Sequence, residues 1–270
     1  MPNTVTSFFI DTLTTLLSTS GLFLAFVVTL YLLQRLTCGL AARQFGGKSI
    51  YLSAIVGTPV HEISHALICL PFFHKINEVA LFKPDGAGTL GYVTHSYNPA
   101  NLWQQIGNFF IGIAPLFGGT AAIYILTCSF LPYGENVIDV IDSLSAPFRH
   151  TSGFTTFVTA LYDAVLKLSS VLWVIAQGSP GKFAIWMYLT AAIALHMSPS
   201  PADLRGSVKG ALLLLLVLGC VRFISDQAWE SLLDHLASGL LSLSITYSIC
   251  ILLAGSLAFF VFAFSLVSKK

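Results

Sequence analysis

The sequence predicts an all-α polytopic membrane protein of about six transmembrane helices, with a small β-hairpin after the second of them. Three observations carry that expectation. The chain has 270 residues, of which 55% are hydrophobic and only 9% charged, and its mean hydropathy is +0.80. Several apolar runs are about 20 residues long, enough to cross a hydrocarbon core of about 30 Å. From Ile76 to Tyr97, between two such runs, the chain becomes Gly-rich and β-prone. The expected setting is a lipid bilayer, with the chain an integral, multi-pass part of it. A formal net charge of +1 and the lack of any long basic run give no case for nucleic-acid binding.

The first span is expected over Phe8 to Leu36, longer than a crossing requires, which leaves room for an interfacial turn around Thr12 to Ser20. Arg35, Arg43 and Lys48 mark its end, and Gly46-Gly47 breaks the helix. The second span lies in the apolar run from Ile50 to Phe73; Pro59 sits inside it, and Pro71 with His74-Lys75 closes it. Val79 to Phe82 and Thr89 to Thr94 then read as short strands around the turn Pro84-Asp85-Gly86. That hairpin is either a plain connector or an open edge on which an extended peptide could add a strand.

The third span is expected over Leu102 to Leu131. Its Gly107, Gly112, Gly118 and Gly119 permit close helix approach, and its Asn108 suits an interhelical hydrogen bond or a hydrogen bond to a reacting carbonyl. Pro132 to Lys182 is less apolar and holds Glu135, Asp139, Asp142, Arg149, Asp163 and Lys167. Within it Phe154, Phe157, Val158, Leu161, Val165, Leu168 and Leu172 recur at helical spacing, which predicts an amphipathic helix on the membrane surface. The fourth span, Phe183 to Met197, ends at Ser198-Pro199-Ser200-Pro201, and the fifth covers Val208 to Ile224. A polar connector with Gln227, Glu230, Asp234 and His235 leads to the last, Leu240 to Val267, and the tail Lys269-Lys270.

No internal repeat appears, so one membrane domain over 1–270 is expected, with a core at about 50–225 and a surface insertion at about 133–180. Basic residues after the first span and at the tail would both be cytoplasmic only with an odd number of crossings. Six crossings break one of those inferences and remain the count expected here. Five single cysteines, Cys38, Cys69, Cys128, Cys220 and Cys250, do not form a disulfide framework.

The chemistry is concentrated in Val60-His61-Glu62-Ile63-Ser64-His65, inside the second span. On a helix, residues four apart share a face, so His61 and His65 can grip one zinc ion from the same side. Glu62 beside them can take a proton from water held on that metal. Such a pattern arises by chance in soluble chains, but His and Glu are costly inside a membrane helix and mark a site there. Cys69 continues the same face and is read as packing.

Two histidines leave the ion short of the three protein ligands usual in catalytic zinc sites. His74, His95, His150, His196, His235 and several carboxylates are available. Asp203 stands out because it lies in a Pro-broken stretch between two apolar spans, where an acid can face a cavity. The same residue also suits a simple helix cap ahead of the fifth span.

With these residues the chain resembles the site-2 protease family of intramembrane zinc metalloproteases. That family carries His-Glu-x-x-His in one membrane helix and a later Asn/Asp-Pro-x-x-x-Leu-Asp-Gly motif that supplies the third ligand. His61, Glu62 and His65 match the first motif, and Pro199 to Gly206 matches the second loosely. Ala202 stands where the motif has Leu, and Leu204-Arg205 separates Asp203 from Gly206. The hairpin and the glycine-bearing third span follow in the same order, so the resemblance covers roughly residues 50 to 225.

The resemblance implies an endopeptidase that cleaves transmembrane or membrane-proximal segments of a membrane protein substrate. Zn2+ would be the cofactor, His61, His65 and Asp203 its ligands, and Glu62 the proton carrier. No stretch is long enough for the inserted PDZ domain that some members have. Two other readings share the motif: a membrane zinc hydrolase of a non-peptide amide or ester, and a metal-binding membrane protein without catalysis.

Overall fold

A computed structural model describes residues 4–140 and 154–267. Asp142, Arg149, His150 and the Lys269-Lys270 tail fall outside the described residues. The chain opens with α1 (Thr4–Phe45), a single 3-10 turn at Gly47–Ile50 and α2 (Tyr51–Cys69). The antiparallel strands β1 (Lys75–Ala80) and β2 (Tyr92–Ser96) follow, then α3 (Leu102–Phe130). After a helical stretch at 134–140 come α4 (Phe154–Gly178), α5 (Pro180–His196), α6 (Pro201–Ile224) and α7 (Asp226–Val267).

Three of these helices, α1, α3 and α6, are long and apolar enough to cross a membrane. The outer face of α2 carries exposed Leu52, Ile55, Ile63 and Leu67, whereas its buried face carries Ala54, Thr58, Glu62, Ser64 and His65. Large apolar groups outside and polar groups inside is the reverse of a helix folded in water, and it is the arrangement that a bilayer favours.

The ends of several elements differ from the sequence expectation. No interfacial turn interrupts α1. The hydroxyls of Thr12, Thr15 and Ser20 bond back to the carbonyls of Phe8, Asp11 and Leu16 at 2.7–2.8 Å, so these polar residues satisfy themselves within the helix. Gly46, at φ 84°, ends α1 in a region that only glycine enters freely. The polar connector before the last span is also helical, forming the first turns of α7.

The hairpin is where it was expected, but its strands lie further from the turn. The paired residues run from Lys75 with Ser96 to Ala80 with Tyr92, and Asn77 bulges. Leu81 to Gly91 form a loop organised by Asp85, whose Oδ1 accepts from the N–H groups of Ala87 (2.8 Å) and Thr89 (3.0 Å).

Two clusters hold the helices together. In the first, Phe23 and Leu30 of α1 meet Leu116 and Ile123 of α3, Ile193 of α5 and Tyr247 of α7. Phe23 stacks on Tyr247, whose hydroxyl donates to the Leu116 carbonyl at 2.9 Å. In the second, Leu168 and Ile175 of α4 pack against Trp186 of α5 with Leu131, Val137 and Val140. Leu168 of the apolar stripe on α4 is thus docked on the bundle with Leu172 beside it, while Asp163 and Lys167 are exposed; the side chains of Phe154, Phe157, Val158 and Leu161 fall outside the described residues. The second half of α5 lies inside the bundle, and every residue from Thr190 through the helix end to Ser198 is buried.

Candidate metal centre

The centre is assembled where α2, α3, α5 and α6 meet, and small residues set how closely they meet. A Cβ on Gly112 of α3 would strike Ser207 Oγ and lie 2.7 Å from the Asp203 carbonyl; one on Gly118 would strike Ser64 of α2. A Cβ on Gly57 of α2 would come 2.6 Å from His196 Cβ. Bare backbone at these crossings lets α6 and α2 approach from two sides of α3. Gly107 and Gly119 serve in the same way against Phe72 and Met197.

His61 and His65 lie one turn apart on the inner face of α2, their rings edge to face and their Nε2 atoms 3.1 Å apart. Asp203, in the first turn of α6, reaches both: Oδ2 lies 3.5 Å from His61 Nε2 and Oδ1 3.4 Å from His65 Nε2. Among the described residues these three form the group of His, Cys, Asp or Glu side chains that could hold a metal ion. His74, His95, His196 and His235 do not join it, and Cys69, buried and free, does not either.

Each imidazole is anchored through its other nitrogen. His61 Nδ1 contacts the His196 carbonyl at 2.7 Å, and His65 Nδ1 contacts the Ile111 carbonyl at 2.7 Å. A carbonyl can only accept, so each Nδ1 carries the hydrogen and each neutral ring turns a bare Nε2 lone pair inward. Two lone pairs at 3.1 Å, facing a carboxylate, repel unless a proton or a cation lies among them. Anchoring of one ring nitrogen while the other points at a shared centre is the usual support of a metal-ligating histidine.

Asp203 combines both arrangements that the sequence offered: it completes the cap of α6 and lies in the group that could hold a metal ion. Ser200 is the N-cap; its Oγ accepts from Asp203 N–H at 3.2 Å, and Asp203 Oδ2 accepts from Ser200 N–H at 2.7 Å. This capping box, with Pro201 in the first turn, fixes the carboxylate toward α2.

Glu62 is 6% exposed and lies in the wall of the same cavity, which has a volume of about 1040 Å³. The hairpin lies directly over it. A Cβ on Gly91 would come 3.0 Å from Glu62 Cγ and 2.8 Å from Thr58 Cγ2. Gly91 at the end of the hairpin loop, and Tyr92, Val93 and His95 of β2, line the cavity together with His61, His65 and Asp203. Asn108 lines it too, and its backbone carbonyl takes a hydrogen bond from Ser207 at 3.2 Å, tying α3 to α6.

The carbonyls of His196 and Ile111 carry no sequence signal, because packing alone brings a backbone group to a histidine. His196 adds a further tie, its Nε2 lying 3.0 Å from Ser53 Oγ of α2. Fold and centre together define a helical bundle with membrane-length apolar helices and a buried His-His-Asp group able to hold a metal ion. No family model, curated protein or solved structure matches the chain.

Proposed function

We propose that the protein is a zinc-dependent intramembrane endopeptidase of the site-2 protease type, with His61, His65 and Asp203 as zinc ligands and Glu62 as the proton carrier. The observation that carries the reading is the inward turn of two anchored Nε2 atoms onto one carboxylate, with a second, buried carboxylate on the adjoining residue. Donor separations of 3.1–3.5 Å agree with a tetrahedral shell of radius about 2.0–2.1 Å, whose edges measure about 3.3–3.4 Å. Three protein donors leave a fourth position open, as hydrolytic zinc sites do.

Bound zinc would supply a Lewis acid and a water acidified toward neutrality. The residues of the chain do the rest. His61 and His65, fixed through Nδ1, keep the donor geometry from relaxing. Glu62, shielded by the hairpin, takes a proton from the water on a carboxylate oxygen as the water oxygen bonds to the scissile carbonyl carbon. It then delivers that proton to the leaving nitrogen as the C–N bond breaks. A peptide suits the cavity better than a compact substrate does, because one wall is a β-strand beside which an extended segment can lie. A transmembrane helix must unwind locally to enter, since an intact helix keeps its carbonyls in intrahelical bonds.

The same proposal sets α2, α5 and α7 in the bilayer beside the three long apolar helices, six crossings in all, with α4 at the surface. The test is Glu62→Gln in purified protein, assayed on a membrane-anchored reporter. The variant is expected to keep its zinc and lose cleavage by at least a hundredfold. Cleavage at the wild-type rate would overturn the mechanism.

A further inference from the structure

A second pair of histidines meets at the base of the hairpin. His74, just past the end of α2, is buried, and its Nδ1 lies 2.9 Å from Nδ1 of His95 on β2. The other nitrogen of His74, Nε2, lies 2.8 Å from the Gln104 carbonyl of α3. His74 is held firmly: its ring stacks on Tyr97 with centroids 5.0 Å apart, and its N–H donates to the Cys69 carbonyl at 3.0 Å. Gln104 is fastened in turn, donating through Nε2 to the Phe73 carbonyl at 3.0 Å and accepting from Asn98 N–H at 2.6 Å.

The hydrogens along this chain follow from its far end. The Gln104 carbonyl only accepts, so His74 Nε2 carries a hydrogen and neutral His74 presents a lone pair at Nδ1. His95 must then donate through its own Nδ1, which leaves His95 Nε2 as a bare acceptor. That nitrogen has no hydrogen-bond partner among the described residues, and His95 lines the cavity of the metal centre while His74 does not. Burial holds the His95 imidazole below its usual pKa, which favours the neutral ring. His95 lies outside the group of donors that could share one ion, so it is not a fourth ligand in this arrangement.

We propose that His95 is a substrate-binding residue, its Nε2 accepting a hydrogen bond from a backbone N–H of the peptide segment beside the metal, and that His74 is the positioning residue that keeps Nε2 bare. The placement suits the task. The end of the hairpin loop and β2 bring Gly91, Val93 and His95 to the cavity wall, with Gly91 against Glu62 and His95 four residues further along, opposite Ile76. A segment in that cavity brings amide N–H groups that lose water on entry, and a buried amide without an acceptor is costly. A fixed imidazole acceptor meets one of them.

This role rests on the peptide-hydrolase reading, and the experiment separates the two. Zinc-loaded protein in detergent micelles is titrated with a fluorescein-labelled Ala-Leu-Phe hydroxamate, in which the hydroxamate anchors to metal and the peptide supplies N–H groups. Acetohydroxamate, the anchor alone, is the control. His95→Phe is expected to weaken the tripeptide about tenfold while leaving zinc content and acetohydroxamate binding unchanged. His95→Gln, whose amide oxygen can accept, is expected to recover to within about threefold of wild type.

Histidine 15N spectra of the wild-type protein, with the resonance assigned by its loss in His95→Phe, are expected to show the Nδ1–H tautomer for His95. Equal tripeptide affinity in wild type and His95→Phe would overturn the role of His95 and leave the hydrolase reading standing. Loss of zinc in His95→Phe, or an Nε2–H tautomer, would overturn it as well. A wild-type protein that binds the tripeptide no better than acetohydroxamate would overturn the peptide reading, and this role with it.

Discussion

Ser200 decides where the Asp203 carboxylate points, although it touches neither histidine of the centre. Its hydroxyl and its N–H hold Asp203 in the capping box, and the remaining carboxylate surface faces His61 and His65. Ser200→Ala keeps the N–H bond to the carboxylate and loses the hydroxyl, so a partial effect is expected. Zinc affinity should fall about tenfold, as it does when the support of a ligand is removed, and stability should fall by about 1 kcal/mol with the cap. Competition with a chromophoric chelator reads the first and thermal unfolding the second. Asp203→Ala, by contrast, removes a donor and should abolish stoichiometric zinc binding; retention of one equivalent would place the third ligand elsewhere.

At the scale of elements, glycines set distances that the site depends on. Gly112 lets the start of α6 lie against α3, and Gly91, just before β2, lets the hairpin lie on Glu62. Gly112→Ala should push α6 away, since the Asp203 carbonyl is backbone and cannot swing aside. The expected cost is about 1–3 kcal/mol, seen as a lower thermal midpoint together with weaker zinc binding. Gly91→Val should leave zinc in place and depress cleavage, because it lifts the hairpin from Glu62 without touching the three donors. A Gly91→Val protein with full cleavage would remove the hairpin from the account. The spacing of His61 and His65 made their shared face legible, with Glu62 beside them, and the Pro-rich break pointed to Asp203. Strand ends were less legible: pairing runs through Lys75 and Glu78, polar residues that propensity does not select, while the β-prone Leu81, Phe82 and Thr89 to Gly91 went to the loop.

Taken as a whole, the molecule joins helices from distant parts of the chain through one small polar centre in an apolar bundle. α2 and α6 meet there across α3, which makes a bound ion a tie between them. Zinc at about a hundred times its dissociation constant should therefore add about 2.7 kcal/mol to stability, and His65→Ala should erase that gain. Thermal unfolding with and without chelator measures both. The anchoring carbonyls of His196 and Ile111, and the His74–His95 chain, were beyond the sequence because tertiary packing alone brings those groups together. The most direct measurement is X-ray absorption at the zinc edge of the zinc-loaded protein. The account predicts nitrogen and oxygen neighbours at about 2.0–2.2 Å, with an oxygen that a hydroxamate replaces. A sulfur neighbour at about 2.3 Å, or a closed shell that the hydroxamate leaves unchanged, would contradict it.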